Sequence, residues 1–267
     1  MSGGFLTRWL EHPLTRGRSL DDPATTELRR EIVRSKPFLR RLYREWHTAI
    51  RDELPGGAGA VLELGSGAGM LREVVPEVIS SEVFLCAGVD VVADGRHLPF
   101  AGGSLRAVVL VDVLHHVPDC RSLFREAARC VRPGGVLVAV EPWVTWWSRL
   151  VYGRLHHEPF DPDRRDWSFP SSGPLTGANG ALPWIVFQRD RARFESDYPE
   201  WNVRSIDPLM PVSYLLSGGV SLRSLAPGWL YGPVRFLERL AAPLADRTAM
   251  FAYITLERTG ARGAQLR

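Results

Sequence analysis

The sequence has very little lysine and no long run of basic residues. Lys36 is the single lysine among 33 basic residues, so nearly all of the positive charge comes from arginines spread along the chain. The net charge is only +3, and no cluster reaches the length expected of a nucleic-acid surface. This distribution argues against a nucleic-acid partner.

Cysteine and long apolar segments are also scarce. Cys86, Cys120 and Cys130 form neither a CxxC pair nor a Cys/His metal pattern, which is typical of reduced thiols in the cytosol. Charge and proline interrupt residues 1–19 too early for a signal peptide, and no stretch of about 18 apolar residues could span a membrane. We therefore expect a cytoplasmic protein with no membrane-spanning segment.

Short apolar segments alternate with helical or turn-rich segments between residues 58 and 143. This alternation predicts a doubly wound α/β domain with a mostly parallel sheet, and residues 119–135 are expected to form one of its helices. The segments with strand character are 60–64, 78–80, 89–94, 106–112, 136–142 and 250–257, with a weaker one at 201–210.

The flanking regions suggest additions to that domain. Residues 1–55 are predicted to form a helical cover of two helices separated by Pro37, with Arg29 and Arg30 on the solvated side. Residues 56–267 form the main domain, which carries an acceptor-site insertion at about 143–226, where the periodicity is lost. Residues 228–245 read as a helix broken near Pro233.

Residues 61–69, VLELGSGAG, place three glycines directly after a strand. Glycine permits a sharp turn and close approach of a ligand to the backbone. Dinucleotide enzymes, methyltransferases and plain tight turns all use such a loop. Glu63 favours a ligand with an ammonium group, because a carboxylate at this place would repel a pyrophosphate.

Four motifs in the same order and spacing resemble class I S-adenosylmethionine-dependent methyltransferases of the bacterial type 11-like group. They are ELGSGAG, DGRHLPF, VDVLHHVPD and ARCVRPGGVLVAVEPW, and together they cover roughly residues 58–143. The resemblance implies a Rossmann-like sheet of seven strands whose last strand is antiparallel. It also implies S-adenosyl-L-methionine as the cofactor.

In that family the glycine loop wraps the methionine part of the cofactor, an acid after strand two binds the ribose, and an acid after strand three binds the adenine amino group. The resemblance therefore implies a cofactor-binding set of Glu63, Gly65, Ser66, Gly67, Gly69, Glu82, Asp94, Gly95 and Asp112.

Two acids compete for the ribose position. A ribose carboxylate is expected about 20 residues beyond the first glycine, and Glu82 lies 17 beyond Gly65 whereas Asp90 lies 25 beyond it. Spacing alone does not decide. Glu82 is favoured because it ends an apolar strand, while Asp90 lies within the next predicted strand, so that the usual helix between strands two and three is nearly deleted.

Candidate catalytic groups follow strands four and five. Asp112 can also serve as a helix cap, and of His115 and His116 one is expected to pack while the other faces the cleft. Glu141 can bind the acceptor or orient a histidine. With His157, we predict His116 and Glu141 as the catalytic residues.

The segment LHHEPFDPD at 155–163 is rich in histidine and carboxylates. Its adjacent histidines lack the i, i+4 spacing of common zinc sites, so we predict no metal site and favour a base or acceptor contact. Asn179 is expected to hold a turn or contact the acceptor. Five tryptophans, Trp143, Trp146, Trp147, Trp167 and Trp184, either wall an apolar pocket or pack in the fold.

The predicted function is methyl transfer from S-adenosylmethionine to a small-molecule or a lipid- or sugar-linked acceptor. Two alternatives remain: a non-catalytic cofactor-binding protein of the same fold, and an NAD(P)-dependent oxidoreductase. Glu63 and the lack of a Tyr-x-x-x-Lys pair argue against the oxidoreductase.

Overall fold

The computed structural model describes residues 12–14, 18, 21–67, 69–155, 158–173 and 175–260. These residues form a seven-stranded sheet in the order β3-β2-β1-β4-β5-β7-β6. Its strands are β1 (Ala60–Leu64), β2 (Ile79–Glu82), β3 (Val91–Val92), β4 (Leu105–Val111), β5 (Val131–Pro142), β6 (Trp201–Leu209) and β7 (Phe251–Arg258).

The first five strands are parallel, and β7 inserts antiparallel between β5 and β6. The predicted seven-stranded, mostly parallel fold is therefore confirmed. The central strands are buried on both faces, as the apolar run of residues 107–111 in β4 indicates. Because β1, β2 and β4 are parallel neighbours, their carboxyl ends meet at one edge of the sheet.

Helices cover both faces of the sheet. They are α1 (Pro23–Ser35), α2 (Pro37–Glu53), α3 (Cys120–Cys130), α4 (Trp146–Leu155), α5 (Leu182–Trp184), α6 (Arg191–Asp197), α7 (Ser213–Ser217), α8 (Tyr231–Leu240) and α9 (Ala245–Thr248). A π-helix, Ile185–Arg189, joins α5 to α6, and short 3-10 turns lie at Leu71–Glu73, Leu114–His116, Gly228–Leu230 and Ala242–Leu244. None of the helices in these described ranges is long and apolar enough to cross a membrane.

The two N-terminal helices begin as predicted. The Asp22 side chain accepts a hydrogen bond from the Ala24 amide, Pro23 occupies the first turn of α1, and Pro37 starts α2. The expectation for Arg29 and Arg30 was wrong, because both lie on the inner side of α1. Arg30 donates to the Gly67 carbonyl at 3.1 and 3.2 Å, which ties the helix to the glycine loop.

Several predicted elements differ in extent. The glycine loop opens no α-helix and is followed only by the 3-10 turn Leu71–Glu73, because Pro76 and the start of β2 leave room for one turn. The edge strand β3 covers two residues rather than 89–94. Pro233 does not break α8, since it lies in the first turn, where a missing amide costs nothing.

The insertion is more ordered than its sequence pattern indicated. Helices α4, α5 and α6 and the π-helix lie within 143–200, where we expected little regular structure. Their short lengths explain the weak periodicity. Between Glu82 and Val91 the described chain forms no helix, which confirms the deletion expected between strands two and three.

Candidate functional site

Two adjacent cavities open at the carboxyl ends of β1, β2 and β4. The first, the loop cavity, is bounded by the glycine loop, the 3-10 turn after β4, the inner sides of α1 and α2, and residues 158–160. The second, the edge cavity, lies beside residues 93–96 and 169–173. Gly65, Glu82, Val113 and His116 are among the residues that line both, so the two cavities adjoin along shared walls.

The glycine loop depends on left-handed backbone. Gly65, Gly67 and Gly69 have φ of 60°, 46° and 64°. A Cβ on Gly65 would lie 2.7 Å from Cγ2 of Val113, so a side chain there would clash as well as strain the backbone. Glycine at these positions therefore lets the backbone lie closer to the cavity than a residue with a side chain would allow.

Glu63 is the buried acid of the loop cavity. It is 3% exposed, and its Oε2 atom has no hydrogen-bond partner within the described parts of the chain. Burial, reinforced by the neighbouring charge of Glu82, raises the pKa of Glu63 to about 8. A buried carboxylate without a partner is costly, so this position is suited to a cationic ligand group.

Glu82 stands where the two cavities meet. Its Oε1 accepts a hydrogen bond from the Gly67 amide at 2.6 Å, and burial raises its pKa despite that bond. Asp90, the rival for the ribose position, lines neither cavity. It is instead paired with Arg72 and accepts a bond from the Ser80 amide at 2.8 Å.

Asp94 and Gly95 lie in the edge cavity. The Asp94 carboxylate is held by Arg96, whose Nη2 donates to Oδ2 at 2.6 Å, and this bond lowers the Asp94 pKa. A Cβ on Gly95 would lie 2.9 Å from Cδ1 of Leu123, so this position also requires glycine. A carboxylate has more than two acceptor sites, so Asp94 keeps capacity for a further donor.

Arg29 is a site residue that no motif indicated. It lines the loop cavity from α1, and its Nε atom is buried without a hydrogen-bond partner in the described ranges. Ser66 Oγ and His47 Nδ1 are also buried without a hydrogen-bond partner in those ranges, and both residues line the same cavity. Together with Glu63 Oε2, the cavity thus contains unpartnered atoms of both an acidic and a basic side chain.

The carboxyl ends of β4 and β5 hold a compact His–Glu cluster. Glu141 is fully buried; its Oε2 accepts from Nδ1 of His115 at 2.8 Å and its Oε1 accepts from the amides of Val113 and Leu114. Burial would lower the pKa of His115, but hydrogen bonds with Glu141 and Glu158 and the charges of Glu141 and Asp112 hold it well above its usual value. Glu141 does not line the cavity and reaches it through its hydrogen bonds with His115 and Val113, two residues that do.

Asp112 and His116 face the loop cavity from the same turn. Asp112 adopts a left-handed φ of 62°, which is rare for a non-glycine residue, and burial raises its pKa to about 6. Burial and the adjacent charge of His115 lower the pKa of His116 to about 3. His116 is therefore neutral at neutral pH and a weak base in this arrangement.

The insertion contributes Glu158 to this cluster. Its Oε2 lies 3.5 Å from Nε2 of His115, and its Oε1 lies 3.7 Å from Nε2 of His116. His157, the third predicted catalytic residue, lies outside the described residues, as does His156. Asn179 holds a turn rather than facing the cleft: its side chain accepts from the Asp161 amide at 2.9 Å and donates to the Asp161 carbonyl.

The tryptophans do not wall either cavity. Trp143 and Trp167 are buried in the core, Trp147 donates to the Pro211 carbonyl, and Trp146 is 72% exposed. Packing with helices α4 to α6 therefore accounts for most of them. The aromatic wall of the loop cavity comes instead from Tyr43, Tyr152, Phe160, Tyr214 and Phe251.

Comparison with known proteins agrees with this architecture. Residues 62–139 match the family model described as a methyltransferase domain. An uncharacterized methyltransferase of Mycobacterium sp. strain JLS is 33% identical over 115 residues, which cover 38% of this chain and 44% of that protein. A demethylmenaquinone methyltransferase of Corynebacterium glutamicum strain R is 41% identical over 66 residues, covering 23% and 29%. The matches thus span less than half the length of these curated relatives.

Among solved structures, geranyl diphosphate C-methyltransferase from Streptomyces coelicolor A3(2), in complex with Mg²⁺, geranyl diphosphate and S-adenosyl-L-homocysteine, is 17% identical with a TM-score of 0.50. The alignment covers 94% of this chain and 92% of that chain. The chain therefore has the Rossmann-like methyltransferase fold. More narrowly, residues 62–139 carry the methyltransferase domain, and this match agrees with the resemblance of the motifs to class I S-adenosylmethionine-dependent methyltransferases.

Proposed function

We propose that this protein is a methyltransferase that binds S-adenosylmethionine in the loop and edge cavities. The observation that carries the proposal is a pair of buried polar atoms in the loop cavity, one from an acid and one from a base, that bond to no other described residue: Glu63 Oε2 and Arg29 Nε. The amino acid end of S-adenosylmethionine is a zwitterion. Glu63 would receive its ammonium group and Arg29 its carboxylate.

The rest of the predicted cofactor set fits the same orientation. Glu82 lies at the junction of the two cavities and would hold the ribose hydroxyls, while Asp94 and Gly95 would contact the adenine in the edge cavity. The backbone at Gly65 and Gly67 would approach the cofactor closely. A pyrophosphate cofactor fits less well, because Glu63 would repel it.

When bound, S-adenosylmethionine supplies an electrophilic methyl group on its sulfonium. The chain's own contribution is alignment and exclusion of water, which account for much of the catalysis of a displacement reaction. Asp112 and His116 line the loop cavity beyond the glycine loop, where an acceptor would lie. Glu141 is a positioning residue that would act through His115.

The proposed acceptor is a small molecule or a lipid- or sugar-linked metabolite. The acceptor side is walled by aromatic rings, with Tyr152 and Phe160 stacked at 4.7 Å between ring centroids. These rings give the cavity an apolar surface beside the ionisable groups Asp112, His116 and Glu158, which suits an acceptor with both an apolar part and a polar group. We further propose that the helical cover 1–55 and the insertion at about 143–226 select the acceptor.

Calorimetry with S-adenosylhomocysteine and with NAD tests the cofactor. We expect S-adenosylhomocysteine to bind and NAD not to bind. Substituting Arg29→Met should weaken binding roughly 10- to 150-fold, the equivalent of about 1.5–3 kcal/mol for a charged hydrogen bond. Arg34→Met, on the exposed side of the same helix, is the matched control and should bind as the wild type does.

Failure of S-adenosylhomocysteine to bind at millimolar concentration would refute the proposed cofactor. If it binds, cell extract and S-adenosylmethionine with a labelled methyl group test the transfer itself. Cofactor binding without label transfer to any extracted metabolite would favour the non-catalytic alternative.

A further inference from the structure

His115, His116 and Glu158 bring three potential metal ligands together at the floor of the loop cavity. One donor atom from each residue lies within 4.8 Å of the other two. The Glu158 oxygens lie 3.5 and 3.7 Å from the two Nε2 atoms. The residues come from two distant parts of the sequence, so neither segment alone shows the pattern.

Both imidazole rings are held through Nδ1. Nδ1 of His115 lies 2.8 Å from a Glu141 oxygen, and Nδ1 of His116 lies 3.3 Å from the Gly177 carbonyl. A carboxylate and a carbonyl can only accept, so each Nδ1 is the donor. In the neutral ring Nε2 then carries the lone pair, and it faces Glu158 in both cases. This support through the second ring nitrogen is the usual arrangement of metal-ligating histidines.

Glu158 is positioned by backbone contacts of the insertion. The Asn179 amide donates to the His115 carbonyl at 2.9 Å, and the Gly180 amide donates to the Pro159 carbonyl at 2.9 Å. The Asn179 side chain also binds the backbone of Asp161 on both sides. The carboxylate is thus held against the histidines by a fixed turn.

The distances suit one ion. Zinc–nitrogen and zinc–oxygen bonds are about 2.0–2.2 Å, so two ligand atoms on one tetrahedral ion are about 3.3–3.6 Å apart. The Glu158 distances of 3.5 and 3.7 Å are close to this spacing. One donor atom from each of the three residues lies within 4.8 Å of the others, so binding an ion would draw them together by no more than about 1.5 Å.

We propose that His115, His116 and Glu158 bind one divalent transition-metal ion of the Zn²⁺ type, with Glu141 orienting His115 toward it. Two imidazoles and a carboxylate suit such an ion better than Mg²⁺ or Ca²⁺. Three protein ligands leave a position open toward the cavity, as in catalytic rather than structural sites. If the protein is the methyltransferase proposed above, the open position would receive an oxygen of the acceptor. The acceptor would then be a hydroxyl- or carboxyl-bearing molecule.

This site differs from the metal ligands considered in the sequence. In the sequence, Glu158 follows His156 and His157, and the spacing of those two histidines argued against a metal site. In the structure, Glu158 faces a different pair of histidines, at the end of β4. The alternative to a metal ion is a proton on His115, since the charged ring would donate to both Glu141 and Glu158 without an ion.

Metal binding is tested directly on the full chain after treatment with EDTA. Titration with Co²⁺, followed by its visible absorption, should show one ion per chain, and calorimetry with Zn²⁺ should give the same stoichiometry. His116→Gln and Glu158→Gln should each bind Co²⁺ at least tenfold more weakly. His97→Gln removes an exposed histidine outside the cluster and should bind Co²⁺ as the wild type does.

Glu141→Gln keeps all three ligands and should reduce Co²⁺ affinity about 10- to 100-fold, the usual effect of losing a group that orients a ligand. Zn²⁺ should raise the unfolding temperature of the wild type and have a smaller effect on Glu158→Gln. Absence of Co²⁺ uptake by the wild type would overturn the proposal, even if every variant failed to fold. Equal uptake by the wild type and Glu158→Gln would also overturn it.

S-adenosylhomocysteine binding is measured in the same samples and keeps the two proposals separate. Uptake of Co²⁺ without S-adenosylhomocysteine binding would support the metal site and refute the proposed cofactor. S-adenosylhomocysteine binding without Co²⁺ uptake would refute the metal site alone.

Discussion

In the proposed function Glu63 would link cofactor binding to proton release, because its carboxyl group is buried before any ligand arrives. With its pKa raised to about 8, about nine in ten Glu63 side chains carry a proton at pH 7. An ammonium group beside Glu63 favours the ionised form and displaces that proton. We therefore expect S-adenosylhomocysteine to release about 0.9 proton from Glu63 on binding at pH 7.

Calorimetry at one pH in buffers of different ionisation enthalpy measures this number, since the observed enthalpy changes in proportion to the protons exchanged. The contribution of Glu63 should fall from about 0.9 proton at pH 7 to about 0.1 at pH 9. It is obtained as the difference between the wild type and Glu63→Gln. Glu195→Gln, an exposed carboxylate on α6, should behave as the wild type does.

The same raised pKa affects folding in the absence of ligand. A neutral Glu63 stabilises the native state below its unfolded pKa of 4.5, and this stabilisation is lost as the pH rises through about 8. The slope is at most about 1.4 kcal/mol per pH unit. Urea unfolding of wild type and Glu63→Gln between pH 5 and 8 should show this loss only in the wild type. Identical proton release and identical pH slopes in the two proteins would refute the reasoning.

Two further substitutions test the loop and the ribose position. Gly65→Ala should destabilise the protein by about 1–3 kcal/mol in urea unfolding, because its Cβ would meet Val113 and its φ is positive. Gly153→Ala, where a Cβ meets no atom within 4 Å, should not destabilise it. Glu82→Gln should weaken S-adenosylhomocysteine binding roughly tenfold or more in calorimetry. Asp90→Asn should leave that affinity unchanged, and the reverse pattern would assign the ribose to Asp90.

The sequence predicted the parts of the fold that depend on local patterns. Strand β1 was predicted with its exact bounds, and the apolar character of β4 and β5 located the centre of the sheet. Predictions that depend on the space between elements failed more often. The helix expected after the glycine loop is one example, since only the approach of β2 limits the chain there to a 3-10 turn.

The candidate site shows the same difference between features that local patterns predict and features that depend on how the elements pack. Glu63, Glu82 and Asp94 sit next to recognisable motifs, so the sequence could nominate them. Arg29 could not be nominated, because nothing in α1 distinguishes an arginine that faces a cavity from one that faces solvent. The segment containing Glu158 was noticed, but its proximity to His115 and His116 could not be predicted, since it depends on the turn held by Asn179.

The methyltransferase-domain match ends at residue 139 and contains the proposed ammonium, ribose and adenine contacts Glu63, Glu82 and Asp94, whereas Arg29 on α1, which would receive the cofactor carboxylate, lies outside it. One side of the loop cavity is built from α1, α2 and the insertion, none of which lies within the matched residues. Those segments are nevertheless hydrogen-bonded to the matched core. Arg30 donates to the Gly67 carbonyl, and the Asn179 amide donates to the His115 carbonyl. A relative that shares only the core can therefore share most of the proposed cofactor contacts while differing in the acceptor, because part of the wall that would surround the acceptor is built by segments outside the match.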